Sequence, residues 1–304
     1  MHPNNPHLNG YDMQALAQVL PELKPFLIQS QHDRLTINFA DANAVKLLNK
    51  ALLKLEYGLQ DWDIPAGYLC PPIPGRVDYL CHLNDYLLQH HFFSASKIKP
   101  KAVTGLDIGT GANVIYPLLA NRLYNWNMVA TDIDDTALAS AQSNIEKNAE
   151  LNLNITLRKQ LSSEHVFSGI IKPDDYFHVS MCNPPFHESQ QAAMAGSVRK
   201  NKNLNRNKQK RVSHVKAINE TEKLNFAGQS NELWCQGGER RFISNMIFES
   251  QSVAKQVGCF TCLVSKKETL IPLIRQLKKA SAKFDVVEMA QGNKVSRFIA
   301  WRFE

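Results

Sequence analysis

Four residues, Asn183-Pro184-Pro185-Phe186, have the types and spacing needed to hold a planar amino group for chemistry. They follow an apolar run at 176–182 that is typical of a buried strand. The Asn183 side-chain carbonyl and the Pro184 backbone carbonyl can each accept one N–H of an amine, while the two prolines restrict the backbone. The Phe186 ring can stack on a base or an amide plane. The alternative interpretation is a proline turn that only ends the strand.

A second motif lies upstream, where a strand leads into a glycine-rich turn. Asp107, Gly109 and Gly111 stand in the order Asp-x-Gly-x-Gly between a strand predicted at 102–108 and a helix predicted near 113–123. Glycine at these positions lets the backbone pass close to a ligand. The turn has no basic residue to pair with a pyrophosphate, which argues against NAD. It favours a nucleoside with a charged amino-acid tail.

About twenty residues further on, at the offset typical of a ribose-binding acid, a strand predicted at 127–131 ends in Asp132-Ile133-Asp134. We assign the ribose hydroxyls to Asp132, with Asp134 as the second choice or as a helix cap. We expect Asp107 to order the glycine turn and to contact the amine of the ligand, directly or through water. The ordered set of motifs is stronger evidence for this type of ligand site than any one motif alone.

This order of motifs resembles the class I S-adenosylmethionine-dependent methyltransferases that act on amino nitrogens. Segments 1–7, 62–79 and 232–239 narrow the resemblance to the bacterial large-subunit ribosomal RNA (23S rRNA) adenine-N(6) methyltransferases, relatives of the eukaryotic methyltransferase-like RNA adenine enzymes. The similarity covers essentially the whole chain. It implies S-adenosyl-L-methionine as the cofactor and methyl transfer to the 6-amino group of one adenine, adenine 1618 of 23S rRNA.

The resemblance also implies roles for single residues on the cofactor side. It implies that Arg76 binds the carboxylate of the cofactor. The alternative is that Arg76 forms a surface salt bridge. It also implies that Gln160, which follows a strand predicted at 153–158, contacts the adenine ring of the cofactor. The complete cofactor set is then Arg76, Asp107, Gly109, Gly111, Asp132, Gln160 and Asn183, and we expect no metal.

The predicted catalytic set is Asn183, Pro184, Pro185 and Phe186. A sulfonium methyl is already a strong electrophile, so positioning and charge distribution can supply most of the rate, and His187 is not required as a base. Phe186 would grip a base flipped out of its helix. Trp234 would assist it there or belong to the core.

The overall composition is ordinary for a soluble globular protein. The 304 residues are 44% hydrophobic and 21% charged, enough for one large domain or a domain with an extension. No apolar run reaches membrane-spanning length and no signal-peptide pattern is present, so we expect a cytoplasmic protein. Six cysteines without framework spacing agree with reduced thiols. Cys259 and Cys262 have zinc-like spacing, but we interpret them as part of a buried strand.

The net charge of +7 is concentrated in one segment. Residues 189–219 hold eight basic residues and no acidic one, which leaves 27 of the 35 basic residues against 28 acidic ones elsewhere. The segment is rich in Asn and Gln and too poor in apolar residues to bury itself. It begins next to Phe186, so we predict an RNA-binding flap rather than a plain surface loop. Its contacts to RNA would be Arg199, Lys200, Lys202, Arg206, Lys208, Lys210, Arg211 and Lys216.

The elements that must position these residues alternate along the chain. Residues 1–100 are interpreted as a mostly helical module on the RNA and cofactor side. Residues 101–304 are interpreted as the methyltransferase domain. Alternating strands and helices predict a class I Rossmann-like α/β fold with a doubly wound, mostly parallel sheet. The last two strands are expected to form a C-terminal antiparallel hairpin. The ligand should lie at the carboxyl ends of the strands, where Asp107, Asp132 and Asn183 fall.

The element boundaries predicted from periodicity and turn residues complete this scheme. Helices are predicted at 41–53, 77–93, 135–148, 238–257 and 267–279, and the late strands at 259–265, 284–290 and 296–303.

Three other functions remain open on the sequence. A guanine 2-amino rRNA methyltransferase also uses Asn-Pro-Pro-Phe, although the block at 71–76 argues against it. A protein-glutamine methyltransferase uses a similar turn, which Phe186 and the basic segment disfavour. A non-catalytic RNA-binding assembly factor would use the same fold without turnover. The partner we expect is 23S rRNA or a large-subunit assembly intermediate, bound by a monomer.

Overall fold

A computed structural model describes residues 1–30, 33–92, 103–151, 153–189, 234–291 and 294–303. The strands in this part of the chain are β1 (Leu27–Gln29), β2 (Leu35–Ile37), β3 (Thr104–Ile108), β4 (Asn127–Asp132), β5 (Ile155–Lys159), β6 (Phe177–Cys182), β7 (Val257–Leu263), β8 (Lys283–Gln291) and β9 (Lys294–Arg302). The α-helices are α1 (Met13–Val19), α2 (Ala42–Tyr57), α3 (Ile73–Gln89), α4 (Ile115–Tyr124), α5 (Asp135–Glu146), α6 (Gly238–Ser250) and α7 (Lys267–Lys279).

Strands β3 to β9 form one sheet in the order β5-β4-β3-β6-β7-β9-β8. The neighbours from β5 to β7 are parallel, whereas β9 is antiparallel to both β7 and β8. The chain winds outward from β3 through β4 to β5 and then restarts on the other side at β6. The pair β3–β6 is therefore the switch point of a doubly wound sheet. The predicted α/β fold with a C-terminal hairpin is confirmed.

The sheet buries both of its faces, because successive strand residues point to opposite sides. In β9, Phe298 and Ala300 pack with the core that contains residues of α1 to α5, whereas Ile299 and Trp301 pack with α6 and α7. Burial on two sides agrees with the apolar residues of the central strands, such as Leu106, Val179 and Phe260.

The amino-terminal helices share a core with the sheet. The α3 residue Tyr79 is fully buried, with its ring 5.3 Å from that of Phe298 and its hydroxyl 2.8 Å from Thr261 Oγ1. The Thr261 hydroxyl in turn donates to the Ser180 carbonyl at 2.9 Å. Residues before and after position 100 are thus packed together, and a division of the chain at that point stays a prediction.

Three helices show where residue patterns were accurate and where they were not. Helix α7 has the predicted bounds. Helix α3 begins at Ile73 rather than 77, because Pro74 falls in the first turn, where a missing N–H costs nothing, and Pro72 is the N-cap. Helix α6 ends at Ser250, turns occupy 251–256, and the last residue of the predicted span, Val257, begins β7.

The amino-terminal part also holds elements that the sequence did not predict, namely α1 and the antiparallel pair β1–β2. The pair of cysteines, Cys259 and Cys262, is buried in β7, as interpreted from the sequence. Among the described residues, no helix combines the length and the apolar character needed to cross a bilayer.

Candidate active site

The polar residues predicted for the site lie where three neighbouring strands end. Ile108, the last residue of β3, is in register with Cys182, the last residue of β6. Asp107 precedes this point, Asn183 follows it directly, and Asp132 closes the adjacent parallel strand β4. Parallel strands present their carboxyl ends to one edge, so the three residues are brought together at the switch point of the sheet.

The glycine-rich turn after β3 is fixed to the end of β4. The N–H of Thr110 donates to the Thr131 carbonyl and that of Gly111 to Asp132 Oδ2, both at 2.8 Å. Gly109 and Gly111 have φ of +72° and +65°, a region that glycine adopts without strain. A Cβ placed on Gly109 would meet no atom within 4 Å. The turn therefore borders open space that a ligand can fill.

Asp132 joins this turn to the start of α5. Its Oδ1 accepts the N–H of Ile133 at 2.8 Å and of Asp134 at 3.0 Å, in addition to the Gly111 bond. A carboxylate has about four acceptor positions, so one remains for a further donor. Burial raises the pKa of Asp132, and the three N–H groups oppose that rise. Asp134 caps α5 and accepts the Tyr68 hydroxyl at 2.9 Å, which is the helix-cap alternative named above.

Asp107 is a buried acid whose carboxylate has no hydrogen-bond partner in the described part of the chain. Its side chain is 1% exposed, and neither carboxylate oxygen has a hydrogen-bond partner among the described residues. Burial raises the pKa of Asp107 to about 7, and Asp132 adds to that rise. The nearby Thr110 hydroxyl and Arg76 oppose it, although the Thr110 hydroxyl does not reach hydrogen-bonding geometry with the carboxylate. Unpaired buried polar groups are costly, so a ligand that donates to Asp107 would relieve a penalty present in the free protein.

Arg76 lies in the first turn of α3, not before the helix as the sequence suggested. Its guanidinium carbon is 5.5 Å from the centroid of the Tyr116 ring, in a cation–π contact. It forms no ion pair with a carboxylate in the described part of the chain, so the salt-bridge alternative finds no support. Burial raises the pKa of Tyr116 to about 12, against the effect of Arg76. The guanidinium is thus held against the Tyr116 side chain and forms no ion pair with a carboxylate among the described residues.

The Asn-Pro-Pro-Phe turn presents an acceptor that nothing in the described structure uses. Asn183 Oδ1 is buried and has no hydrogen-bond partner. Pro184 is buried, while Pro185 and Phe186 are half-buried. The backbone before the turn is held on both sides by the parallel strands β3 and β7. An oxygen buried in a fixed turn without a donor is the atom that an incoming amine can satisfy.

The turn continues into a contact with the segment just before α6. His187 and Trp234 pair as a parallel β-bridge, and the Cys235 N–H donates to the His187 carbonyl at 3.1 Å. A Cβ on Gly238 would come within 2.7 Å of the Glu188 side chain, so glycine is needed there for close approach. Trp234 Nε1 is buried without a partner. Residues 187–188 and 234–238 therefore meet beside the Asn-Pro-Pro-Phe turn.

The predicted basic flap, residues 189–219, falls outside the described residues except for Ser189. The eight basic residues assigned to RNA binding are among those not described, so their role stays a prediction. The contact of His187 with Trp234 shows only that the chain leaves and re-enters the described structure at the same place.

Gln160 lies next to Asp132 but its side chain is engaged within its own loop. Its backbone N–H donates to the Asp132 carbonyl at 2.8 Å. Its side-chain oxygen accepts the Ser162 N–H and its amide nitrogen donates to the Ser168 carbonyl, both at 3.0 Å. These bonds show that the side chain shapes the loop at 160–168, and its contact with the cofactor stays a prediction.

Two contributors to the site were missed in the sequence. Thr110 has a buried hydroxyl without a partner inside the glycine turn, and its place within the motif was a usable signal. Glu249 of α6 accepts the N–H groups of Val166, Phe167 and Ser168 at 2.9 to 3.1 Å. No local pattern indicates this, because 81 or more residues separate the partners.

The match to known families agrees with this geometry. The family model Methyltransf_10, described as RNA methyltransferase, matches residues 1–304. This chain belongs to that family of RNA methyltransferases. The assignment of the strand-end acids, the glycine turn and the Asn-Pro-Pro-Phe turn to the methyltransferase site stays a prediction.

Curated relatives of this RNA methyltransferase share its full length. The ribosomal RNA large subunit methyltransferase F of Christiangramia forsetii is 48% identical over 304 residues, all of both chains. The proteins of the same name from Pseudoalteromonas atlantica and Shewanella loihica are 50% and 49% identical over all of this chain and 92% and 78% of theirs. The predicted family is thereby confirmed.

Solved structures with the same fold come from human METTL16. Its catalytic domain in complex with the MAT2A 3'UTR hairpin 1 has a TM-score of 0.79 and 28% identity, covering 100% of this chain and 96% of that one. Its N-terminal domain in complex with SAH has a TM-score of 0.75 and 28% identity, covering 100% and 99%. The predicted kinship with eukaryotic RNA enzymes is confirmed.

Proposed function

We propose that this RNA methyltransferase transfers the methyl group of S-adenosyl-L-methionine to the 6-amino group of one adenine of 23S rRNA, corresponding to adenine 1618. The observation that carries the proposal is the buried, unpartnered Oδ1 of Asn183, at the end of a strand beside the glycine turn. An exocyclic amine supplies the missing donor. Relatives named ribosomal RNA large subunit methyltransferase F support the choice of RNA.

The residues around the glycine turn fit the cofactor. The open space at Gly109 admits a ligand close to the backbone, and Asp107 offers two unpaired oxygens to an ammonium group. Arg76, without a carboxylate partner, would bind the cofactor carboxylate. The remaining acceptor position of Asp132 suits a ribose hydroxyl, and Gln160, bonded through its backbone to Asp132, would adjoin the adenine ring. When bound, the cofactor supplies an electrophilic methyl group.

The Asn-Pro-Pro-Phe turn prepares the amine. The Asn183 oxygen and the Pro184 carbonyl accept its two N–H groups, which favours a tetrahedral nitrogen with its lone pair directed at the methyl carbon. Phe186 stacks on the base. No side chain has to remove a proton before transfer, because the proton can leave to water from the methylated amine. Acceleration therefore rests on positioning.

The RNA must deliver a base that is out of its helix. Phe186, and Trp234 beside it, would hold the flipped adenine. The basic residues at 199–216 would bind phosphates and give the affinity its salt dependence. We propose 23S rRNA or a large-subunit assembly intermediate as the partner of a monomer, in the cytoplasm where ribosomes are assembled.

The deciding experiment identifies the product. Unmodified 23S rRNA, deproteinised or as an assembly intermediate, is incubated with the protein and labelled S-adenosyl-L-methionine, digested, and its nucleosides are identified by mass spectrometry. Labelled 6-methyladenosine at a single position supports the proposal. Labelled 2-methylguanosine would show that the target is a guanine 2-amino group, methylated by the same mechanism. Cofactor binding without transfer to any RNA would overturn the proposal in favour of a non-catalytic role.

A further inference from the structure

A groove runs along α6 from the side of its first residue toward Phe248. Its volume is about 570 Å³. Among the described residues, its lining includes Gly237, Arg240, Arg241, Asn245, Phe248 and Gln276. Arg240, Arg241 and Phe248 recur at intervals of seven and eight residues, which places them on one face of the helix.

The groove carries positive charge that nearby acids do not neutralise. Arg240 and Arg241 are exposed, and neither forms an ion pair in the described part of the chain. The two acids of α6 are engaged elsewhere. Glu239 is 3% exposed and accepts the Ser265 N–H at 2.5 Å, and Glu249 accepts the N–H groups of the loop at 166–168.

An aromatic ring stands at the far end of the same face. Phe248 is 68% exposed, although its neighbours Met246 and Ile247 are fully buried. Exposed aromatic rings beside basic side chains are typical of surfaces on which the bases of a single strand stack while the phosphates contact the cations.

The near end of the groove adjoins the catalytic turn. Gly237 lines it, and the next residue, Gly238, lies against Glu188, two residues after Phe186. From Gly237 to Phe248 the helix rises about 16 Å, at 1.5 Å per residue. A strand that leaves the site beside Phe186 thus has a continuous path along α6.

We propose that this groove binds the single-stranded RNA that flanks the target base, with its phosphates on Arg240 and Arg241 and a base stacked on Phe248. The inference rests on the proposed methylation of RNA and adds the path of the strand. It is separate from the basic segment at 189–219, since it depends only on residues of α6.

The test compares substitutions inside and outside the groove. The groove variants are Arg240→Gln with Arg241→Gln, and Phe248→Ser. The matched control is Lys278→Gln with Lys279→Gln, at two exposed positions at the end of α7. This double substitution removes the same amount of positive charge as the double arginine variant. Phe248→Tyr keeps a stacking ring. Binding of a single-stranded RNA that contains the target site is measured against salt, alongside kcat, KM and cofactor affinity.

We expect the double arginine variant to raise the Kd and KM for RNA about tenfold with kcat and cofactor affinity unchanged. Its salt slope should fall by about 1.4, because each phosphate contact to a single strand contributes about 0.7. Phe248→Ser should weaken binding and Phe248→Tyr restore it. RNA binding equal to that of the control pair would overturn the groove assignment. Absence of methyl transfer by the unaltered protein would overturn the proposed function instead. The two outcomes are distinguishable because RNA binding is measured independently of methyl transfer.

Discussion

At the scale of the residue, the site is marked by polar atoms that the fold buries and does not satisfy. Asn183 Oδ1, both oxygens of Asp107 and the Thr110 hydroxyl share this condition at one edge of the sheet. Each such group costs about 1–3 kcal/mol in the free protein. Three such groups close together indicate that a ligand completes the hydrogen bonding.

Replacing Asn183 tests the catalytic turn. Asn183→Ala should lower kcat by about a hundredfold or more, because an acceptor used mainly in the transition state is lost. Cofactor affinity should stay nearly unchanged, and stability should not fall, since the oxygen has no partner to lose. Steady-state kinetics, calorimetry of cofactor binding and urea denaturation supply the three readings.

Asn127 provides a matched control for that substitution. Its Oδ1 is also buried without a partner, but it lies at the first residue of β4, at the opposite edge of the sheet. Asn127→Ala should leave kcat unchanged. Equal losses of turnover in both variants, or an equal loss of cofactor affinity and turnover in Asn183→Ala, would contradict the assigned role.

The raised pKa of Asp107 predicts how stability depends on pH. The folded protein binds the proton more tightly than the unfolded chain, so this group contributes stability at low pH that is lost as the pH rises from about 4 to about 7. Asp107→Asn, which cannot ionise, should gain stability relative to the original protein across that range. Urea denaturation at pH 5 and pH 8 measures the difference, and a difference that does not change with pH would contradict the prediction.

The same titration should appear in ligand binding. An ammonium group binds the ionised carboxylate, so the affinity for S-adenosyl-L-methionine should fall about tenfold per pH unit below pH 7. Asp107→Asn should bind more weakly at pH 8 and lose this dependence. Calorimetry at several pH values gives the profile, and an unchanged profile in the variant would show that another group titrates.

At the scale of the element, α6 joins several parts of the site. Its first residues lie against the end of the catalytic turn, at Glu188, and its last turn binds the loop that contains Gln160. The Glu249 carboxylate accepts three backbone N–H groups of that loop, and the Asn245 side chain donates to the Glu164 carbonyl at 2.6 Å. The helix thus positions the loop after β5 from a distance in the sequence.

Glu249→Gln should destabilise the protein by about 1–3 kcal/mol, because charge-assisted bonds to backbone N–H groups are weakened where water is largely excluded. The expected kinetic effect is a raised KM for the cofactor, with a smaller change in kcat. Urea denaturation gives the stability. Glu56→Gln, at an exposed position near the end of α2, is the control and should change stability by less than about 0.5 kcal/mol. Equal effects of the two substitutions would contradict the anchoring role.

At the scale of the whole molecule, charge is distributed unevenly. The segment at 189–219 holds eight of the 35 basic residues, and the rest of the chain is close to neutral. We therefore expect the long-range attraction of an RNA polyanion to depend mainly on this segment, which begins three residues after Phe186 in the sequence.

Neutralising Arg206, Lys208, Lys210 and Arg211 to Gln together should weaken RNA binding and flatten its salt dependence by up to about 3 units of slope. Cofactor affinity should be unchanged. Filter binding over a range of salt concentrations and calorimetry make the two measurements. A loss of cofactor affinity with intact RNA binding would show that this segment serves the cofactor site instead.

The sequence determined the family and the class of fold. Strand-ending motifs such as Asp107 to Gly111 and Asn183 to Phe186 are local, and alternating elements place their ends at one edge of a parallel sheet. The tertiary structure alone decided which of these atoms lack partners, that Asp134 caps a helix while Asp132 holds the glycine turn, and that Arg76 rests on Tyr116. Burial and hydrogen bonding depend on groups that are distant in the chain, and no local pattern of residue types contains that information.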